Sequence, residues 1–320
     1  MDGSPMTRAV VATAFGGPEV LSVAETPAGP PGPGEVLISV LAAGTNPIDY
    51  KLYSGTMGRD PARLPMRLGS EVAGVVTEVA DGAEGPAGPI EAGDEVIGYP
   101  VVGGYAADVA VPASSVIAKP VALSFEQASG MMLTGVTAAH ALAVVGAGPG
   151  EMVLVHGASG GVGLMAVQLV VAAGGRVIGT ASHSAHALLR EFGAEPVAYG
   201  AGLEERVRAL APRGVDAAVD CAGGEEALGT SLALVADRGR IVTLLASRPA
   251  FDSGVKVIGR APGADPGTEI RAAARLDLAR LADERKLRVV VAAAYPLAEA
   301  GAAHRALMTG HTHGKIVLVP

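Results

Sequence analysis

Three glycines at three-residue intervals, Gly157, Gly160 and Gly163, follow the apolar run 152–156 and lead into a second apolar run, 164–173. A buried strand, a tight glycine turn and a helix start, in that order, form a cradle for a dinucleotide pyrophosphate. Gly157 lets the backbone turn off the strand end. Gly160 lets it approach the phosphates with no Cβ in the way, and Gly163 lets the helix pack close to the strand. With Ser159, Gly161 and Val162 these residues make up the turn and helix start, whose free N–H groups and partial positive charge suit an anion. The order is G-x-x-G-x-x-G rather than the common G-x-G-x-x-G, and the chain holds 45 glycines, so the motif takes its weight from its setting.

A second stretch carries polar chemistry. Gly44-Thr-Asn-Pro-Ile-Asp-Tyr-Lys51, followed by Leu52 and Tyr53, sets three hydrogen-bond donors, Asn46, Lys51 and Tyr53, on one short segment. Asp49 either orients Lys51 or caps a helix beginning near Pro47. Tyr50 reads as a packing residue, and Tyr53 is open between packing and the site. The single cysteine, Cys221, excludes an internal disulfide and a four-cysteine zinc site; it follows an apolar strand and reads as a buried packing thiol. His311 and His313 alternate as two ligands on a strand would, but no third ligand accompanies them, so a solvated turn is expected.

These groups need elements to hold them. After the glycine turn, strands are expected at 176–181, 197–199, 216–220 and 240–246, with helices at 203–210 and 225–235 between them. Such alternation builds a doubly wound parallel sheet. The motif begins at residue 152 of 320, leaving room before it for a separate domain. That first part carries short runs at 9–13, 36–43, 72–79, 95–99 and 106–111, broken by Gly, Pro and Asp, as in a β-rich, barrel-like domain. A strand at 255–258, a helix at about 268–286, a strand at 288–293, a helix at about 297–308 and a strand at 315–319 follow, and this tail is expected to rejoin the first domain.

Composition narrows the classes. The chain is 49% hydrophobic and 18% charged, as a folded globular protein is, and its net charge of −8 argues against a nucleic-acid or anionic-membrane surface. Residues 1–8 hold no apolar signal core and no apolar run reaches membrane-span length, so a cytoplasmic protein is expected.

The order of β-rich domain, mid-chain glycine motif and returning tail resembles the medium-chain dehydrogenase/reductase superfamily over nearly the whole chain. Local motifs are similar to its zinc-independent quinone and enone oxidoreductase branch. They are the 44–51 segment, Leu68-Gly-Ser-Glu-Val-Ala-Gly74, Gly93-Asp-Glu-Val96, Leu133-Thr-Gly-Val-Thr-Ala138, the glycine motif and Gly314-Lys-Ile-Val-Leu318. The resemblance implies an α/β protein with a GroES-like barrel domain at 1–124 and 267–320 and an NADP-binding Rossmann domain at 125–266. Zinc-dependent relatives hold their metal through an early Cys and a Gly-His-Glu histidine. The matching places here read Asn46 and Gly69-Ser70-Glu71, neither Asn nor Ser is a good zinc ligand, and no metal is expected. Glu71 then serves structure through a buried hydrogen bond.

Without zinc, alcohol oxidation lacks its Lewis acid. A quinone or an α,β-unsaturated carbonyl accepts a nicotinamide hydride more readily, and the protein must place donors where negative charge develops. The resemblance puts Asn46, Asp49, Lys51 and Tyr53 at that site. The Asn-Pro-x-Asp-x-Lys form is similar to enone reductases. An enoyl-thioester reductase, or a non-enzymatic nucleotide-regulated binding protein, is the alternative.

Cofactor choice turns on Gly179-Thr-Ala-Ser-His-Ser-Ala-His186, which lacks the Asp or Glu that holds the ribose of NAD. Ser182 can donate to a 2′-phosphate, His183 and His186 can add partial charge, and His186 takes the place of the family's usual Lys or Arg. Tyr199 matches a tyrosine that contacts this phosphate in relatives, so NADP(H) is expected. Thr137 is placed near the nicotinamide, the backbone of Leu244, Leu245 and Ala246 against its amide, and Lys315 either near the cofactor or at the surface. A homodimer through the strand near 255–258 is implied.

Overall fold

The computed structural model describes residues 6–310 and 312–320. The expectations for residues 1–5 and for His311 lie outside the described residues. Two compact units form, one from Met1–Leu133 with Ala279–Pro320 and the other from Thr134–Leu278. Both crossings fall inside helices, Met132–Val145 and Thr268–Asp283, later than positions 125 and 267.

The second unit is built on six parallel strands. They are β1 (Met152–His156), β2 (Arg176–Ala181), β3 (Ala194–Ala198), β4 (Ala217–Asp220), β5 (Ile241–Thr243) and β6 (Lys256–Val257). Their spatial order is β3-β2-β1-β4-β5-β6, the doubly wound order of dinucleotide-binding sheets. Every residue of β1 and β4 is buried, as expected of central parallel strands covered on both faces. The chain reverses direction across the sheet between β1 and β4, the place where such sheets bind ligands. Helix Leu203–Leu210 lies where the sequence predicts it, and helix Glu225–Leu234 ends one residue short. The strand expected at 240–246 stops at Thr243: the Leu244 N–H makes the last ladder bond, to the Asp220 carbonyl, and the Leu245 N–H turns back to Thr243 Oγ1.

The first unit is centred on strand Glu35–Gly44, which pairs antiparallel with Val72–Val79, with Asp108–Pro112 and with Lys315–Val319. The last strand also pairs parallel with Val291–Pro296, so the C-terminal tail returns to the first domain. The seven-stranded sheet runs as an open path from Val116–Ala118 to Val291–Pro296, with Asp108–Pro112 branching off, rather than as a ring. Val36, Ile38, Val40, Val72, Val76, Ile316 and Leu318 pack its core. The strand Leu21–Pro27 was not read from the sequence: it lies at a sheet edge, half exposed, and lacks a clean apolar alternation. Among the described residues, no helix is long and apolar enough to cross a membrane.

Candidate active site

In the second unit the glycine turn joins β1 to helix Gly161–Ala172. Gly157 has φ +66°, a left-handed conformation that favours glycine. A Cβ at Gly163 would run into the Gly157 carbonyl oxygen and lie 2.7 Å from Ala158 Cα, so the helix can approach the strand only with glycine there. Gly160 differs. A Cβ there would meet no described atom closer than Gly157 O at 3.5 Å, so the space before it is open on the protein side. Behind the turn, Thr180 Oγ1 accepts the Gly157 N–H at 3.2 Å, and His156 bonds to Ser231 Oγ at 3.1 Å. Burial pushes His156 down to about 4, so it is neutral at pH 7.

At the end of β2, Ser182 precedes a short 3-10 turn, His183–Ala185, and helix His186–Glu191. The His183 and His186 rings lie 4.9 Å apart, and Ser182 Oγ is 2.9 Å from Ser184 Oγ. His186 Nε2 is shut off from solvent yet has no hydrogen-bond partner. Tyr199 is exposed just beyond β3, Thr137 is buried on helix Met132–Val145, and Leu244 and Leu245 are half-buried with Ala246 exposed. The turn with its open Gly160 face, the helix start, a β2 end without an acid and the unpartnered imidazole nitrogen fit a dinucleotide bearing a 2′-phosphate. Cys221, which follows the buried strand β4, is half-buried rather than buried.

The first unit holds a buried polar cluster. The Lys315 ammonium donates to Asn46 Oδ1 at 2.6 Å, to the Thr45 carbonyl at 2.7 Å and to Glu71 Oε1 at 3.0 Å. All three of its hydrogens are thus used. Asn46 Nδ2 donates to Glu71 Oε1 at 3.0 Å and, weakly, to the Gly44 carbonyl at 3.4 Å; Glu71 Oε2 accepts the Leu133 N–H. Glu71 is fully buried and pairs Lys315, so it does serve structure, and Lys315 is no surface lysine.

Asp49 sits in the first turn of helix Pro47–Tyr53 and accepts the Asn46 N–H at 2.8 Å, as a cap does. It also accepts Tyr105 Oη at 2.8 Å and Ser70 Oγ at 3.2 Å. Burial raises its carboxyl to about 6, against the lowering effect of Tyr105, the Asn46 backbone and Lys315. His304, on helix Ala300–Met308, bridges Tyr105 Oη at 3.1 Å and Tyr53 Oη at 2.9 Å, and burial drops it to about 4. With Asp49 ionised, Tyr105 must donate to it. The Tyr105 oxygen then accepts from His304 Nε2–H, and Nδ1 accepts from Tyr53, which assigns the tautomer.

These contacts correct part of the reading of 44–53. Asp49 does not orient Lys51: its partners are Asn46, Ser70 and Tyr105, while Lys51 is exposed on the helix surface. Tyr53 is 1% exposed and spends its hydroxyl on His304, so it offers no donor to a substrate. Asn46 is 1% exposed with its amide turned to Glu71 and Lys315. Ser70, Tyr105 and His304 were missed as members of the cluster. They stand far apart along the chain, and no spacing links them.

A parallel dinucleotide-binding sheet joined to a β-rich unit that reclaims its own C-terminus defines a two-domain nucleotide-dependent oxidoreductase architecture. Residues 32–121 match the alcohol dehydrogenase GroES-like domain, and residues 192–318 match the family described as zinc-binding dehydrogenase. The chain is 32% identical to quinone oxidoreductase of Mus musculus over 334 residues, covering 99% of each chain. It is 35% identical over 246 residues to the mouse synaptic vesicle membrane protein VAT-1 homolog; that match takes in 75% of this chain and 59% of the relative. The crystal structure of Escherichia coli quinone oxidoreductase complexed with NADPH superposes with a TM-score of 0.84 at 29% identity, covering 98% of this chain and 100% of that one. The chain belongs to the medium-chain dehydrogenase/reductase superfamily, in its quinone oxidoreductase branch.

Proposed function

We propose that the protein is an NADPH-dependent oxidoreductase that reduces quinones or α,β-unsaturated carbonyls without zinc. The observation that carries the reading is the glycine cradle on a β3-β2-β1-β4-β5-β6 sheet, with a Ser-His-Ser-x-His end to β2 where an NAD site has an acid. Relatives named as quinone oxidoreductases support the substrate class. Bound NADPH supplies the hydride. The turn 157–163 holds the pyrophosphate through backbone N–H groups, and Ser182, His183, His186 and Tyr199 face the 2′-phosphate. Thr137 and the 244–246 backbone attend the nicotinamide end. Lys51 is the donor of segment 44–53 that remains exposed, and it is assigned to the developing oxyanion. Asn46 and Asp49 position that segment.

Independence from zinc is supported by charge. A buried ammonium, Lys315, already binds Asn46 Oδ1 and Glu71, at the places where zinc-dependent relatives present their metal. A divalent cation beside it would meet like charge in a poorly screened site. We further assign a homodimer joined through β6, which is an edge strand of its sheet. The test is NADPH oxidation with a panel of quinones and enones, using stereospecifically deuterated NADPH. Deuterium at an enone β-carbon is the expected result. Brisk alcohol oxidation without quinone or enone reduction would refute the reading.

A further inference from the structure

A half-buried guanidinium in the first unit has no counter-charge. Arg67 ends the short strand Met66–Arg67, opposite Val11 of strand Met6–Ala12. Its Nη2 donates to the Gly103 carbonyl at 3.2 Å, and among the described residues that is its one side-chain hydrogen bond. Nε is shut off from solvent and has no acceptor. Gly103, at φ +80°, lies against the side chain, since a Cβ there would sit 2.7 Å from Nε. No described carboxylate pairs with Arg67, and loss of hydration pulls its pKa below the usual value. A cation taken partly out of water is costly unless an anion offsets it. A neutral glutamine could make the single bond to Gly103 without that cost.

The surroundings suit an anion. The Val102 and Gly103 N–H groups have no acceptor among the described residues, although Gly103 is buried. Val102 is 83% exposed, so their loop borders solvent. The same loop clasps the chain that follows Arg67. The Val101 N–H donates to the Ser70 carbonyl at 3.0 Å, the Gly104 N–H to Gly69 at 3.1 Å and the Tyr105 N–H to Leu68 at 2.9 Å. Ser70 in turn donates to Asp49, so Arg67 is fixed beside the 44–53 segment. The carboxylates of that cluster are engaged: Glu71 pairs Lys315, and Asp49 accepts Tyr105 and Ser70. Residues 51–67 hold Lys51, Arg59, Arg63 and Arg67 against one acid, Asp60, in a chain of net charge −8. Asp60 itself is turned to the Ala62 N–H. A local excess of positive charge draws anions toward it.

We propose that Arg67, with the unspent N–H groups of Val102 and Gly103, anchors a carboxylate carried by the substrate, so that the acceptors this protein reduces best are acidic enones or quinones. The proposal rests on the oxidoreductase reading above and names its substrate class. Arginine suits the task, because its planar fork meets both oxygens of a carboxylate and keeps its charge at every working pH. The anchored group is remote from the reacting carbon: it holds the acceptor and takes no part in hydride transfer.

The experiment compares acids with uncharged twins of nearly equal size on the full chain at saturating NADPH. One pair is para-carboxybenzalacetone and its methyl ester; the other is a benzoquinone bearing a propanoate side chain and its methyl ester. The parent should favour each acid in kcat/KM by at least about tenfold, the factor that one hydrogen bond to a charged group supplies, with the difference carried by KM. Added salt should shrink that preference. Arg67→Met should bring the ratio of acid to ester close to one. Arg67→Lys should keep part of it, since a point charge remains without the fork. Thermal unfolding separates binding from a structural tie: Arg67→Met removes a poorly hydrated charge and should unfold no earlier than the parent. Equal kcat/KM for acid and ester in the parent, or an unchanged ratio in Arg67→Met, overturns the proposal and leaves the oxidoreductase reading standing. If Arg67→Met does not fold, the parent's ratio and its salt dependence decide. Reduction of neither pair overturns that reading and the proposal with it.

Discussion

Asp49→Asn isolates the energetics of the buried cluster. The carboxyl is fully buried and lifted from 3.8 to about 6 by loss of hydration, so folding favours its protonated form. A group raised in this way contributes stability that is fully present below pH 3.8 and lost as the pH rises through 6. A rise of roughly two pH units at 1.36 kcal/mol each corresponds to about 3 kcal/mol. His304 acts in the opposite sense. It falls from 6.5 to about 4, so its contribution is present above pH 6.5 and lost as the pH falls toward 4, by about 3 kcal/mol. In the parent the two nearly cancel between pH 6.5 and 4. Asparagine keeps the shape, and its carbonyl can still accept the Asn46 N–H and Tyr105 hydroxyl, but it has no proton to gain. The variant should therefore lose about 2–3 kcal/mol relative to the parent on going from pH 7 to pH 4. Urea unfolding at each pH, followed by circular dichroism with the first unit's transition resolved from the second's, measures this difference. A difference between variant and parent that stays constant with pH, or grows in the variant's favour on acidification, would refute the burial argument.

Gly160→Val should leave the fold intact, because φ −77° and ψ 172° suit any residue and the nearest protein atom to the new Cβ is 3.5 Å away. NADPH affinity should fall at least about tenfold, since the branched side chain enters the space of the pyrophosphate; undiminished binding would reject the cradle. Lys315→Met leaves Glu71 buried without its ion partner and should cost about 3–5 kcal/mol in thermal or urea unfolding, with Lys315→Met/Glu71→Gln recovering much of it. Metal analysis after gel filtration should find no stoichiometric zinc, and NADPH-dependent turnover should survive strong chelators; one zinc per chain would overturn that expectation.

What could be read in the sequence was whatever depends on neighbours along the chain. The glycine turn at 157–163 is a local conformational demand, and the period of apolar runs around it announces strand and helix in turn. The order of these units, together with motifs such as 44–51 and 68–74, sufficed for the superfamily. Helix Leu203–Leu210 and strand Lys315–Val319 fall where they were expected because glycine and proline punctuate them, at Gly202 and Pro212 and at Gly314 and Pro320. The polar cluster obeys a different logic. Asn46 and Tyr53 look like open donors on a short segment, and only the packing of helix Ala300–Met308 and strand Lys315–Val319 shows that both are spent internally. Tyr53 and Tyr105 meet His304 across 251 and 199 residues of chain. Asp49 acquires its raised pKa from burial, which no sequence spacing encodes. Local backbone geometry is written in residue type, whereas the charge state and hydrogen-bond partners of a buried side chain depend on which distant elements close over it, and that was decided by the tertiary structure.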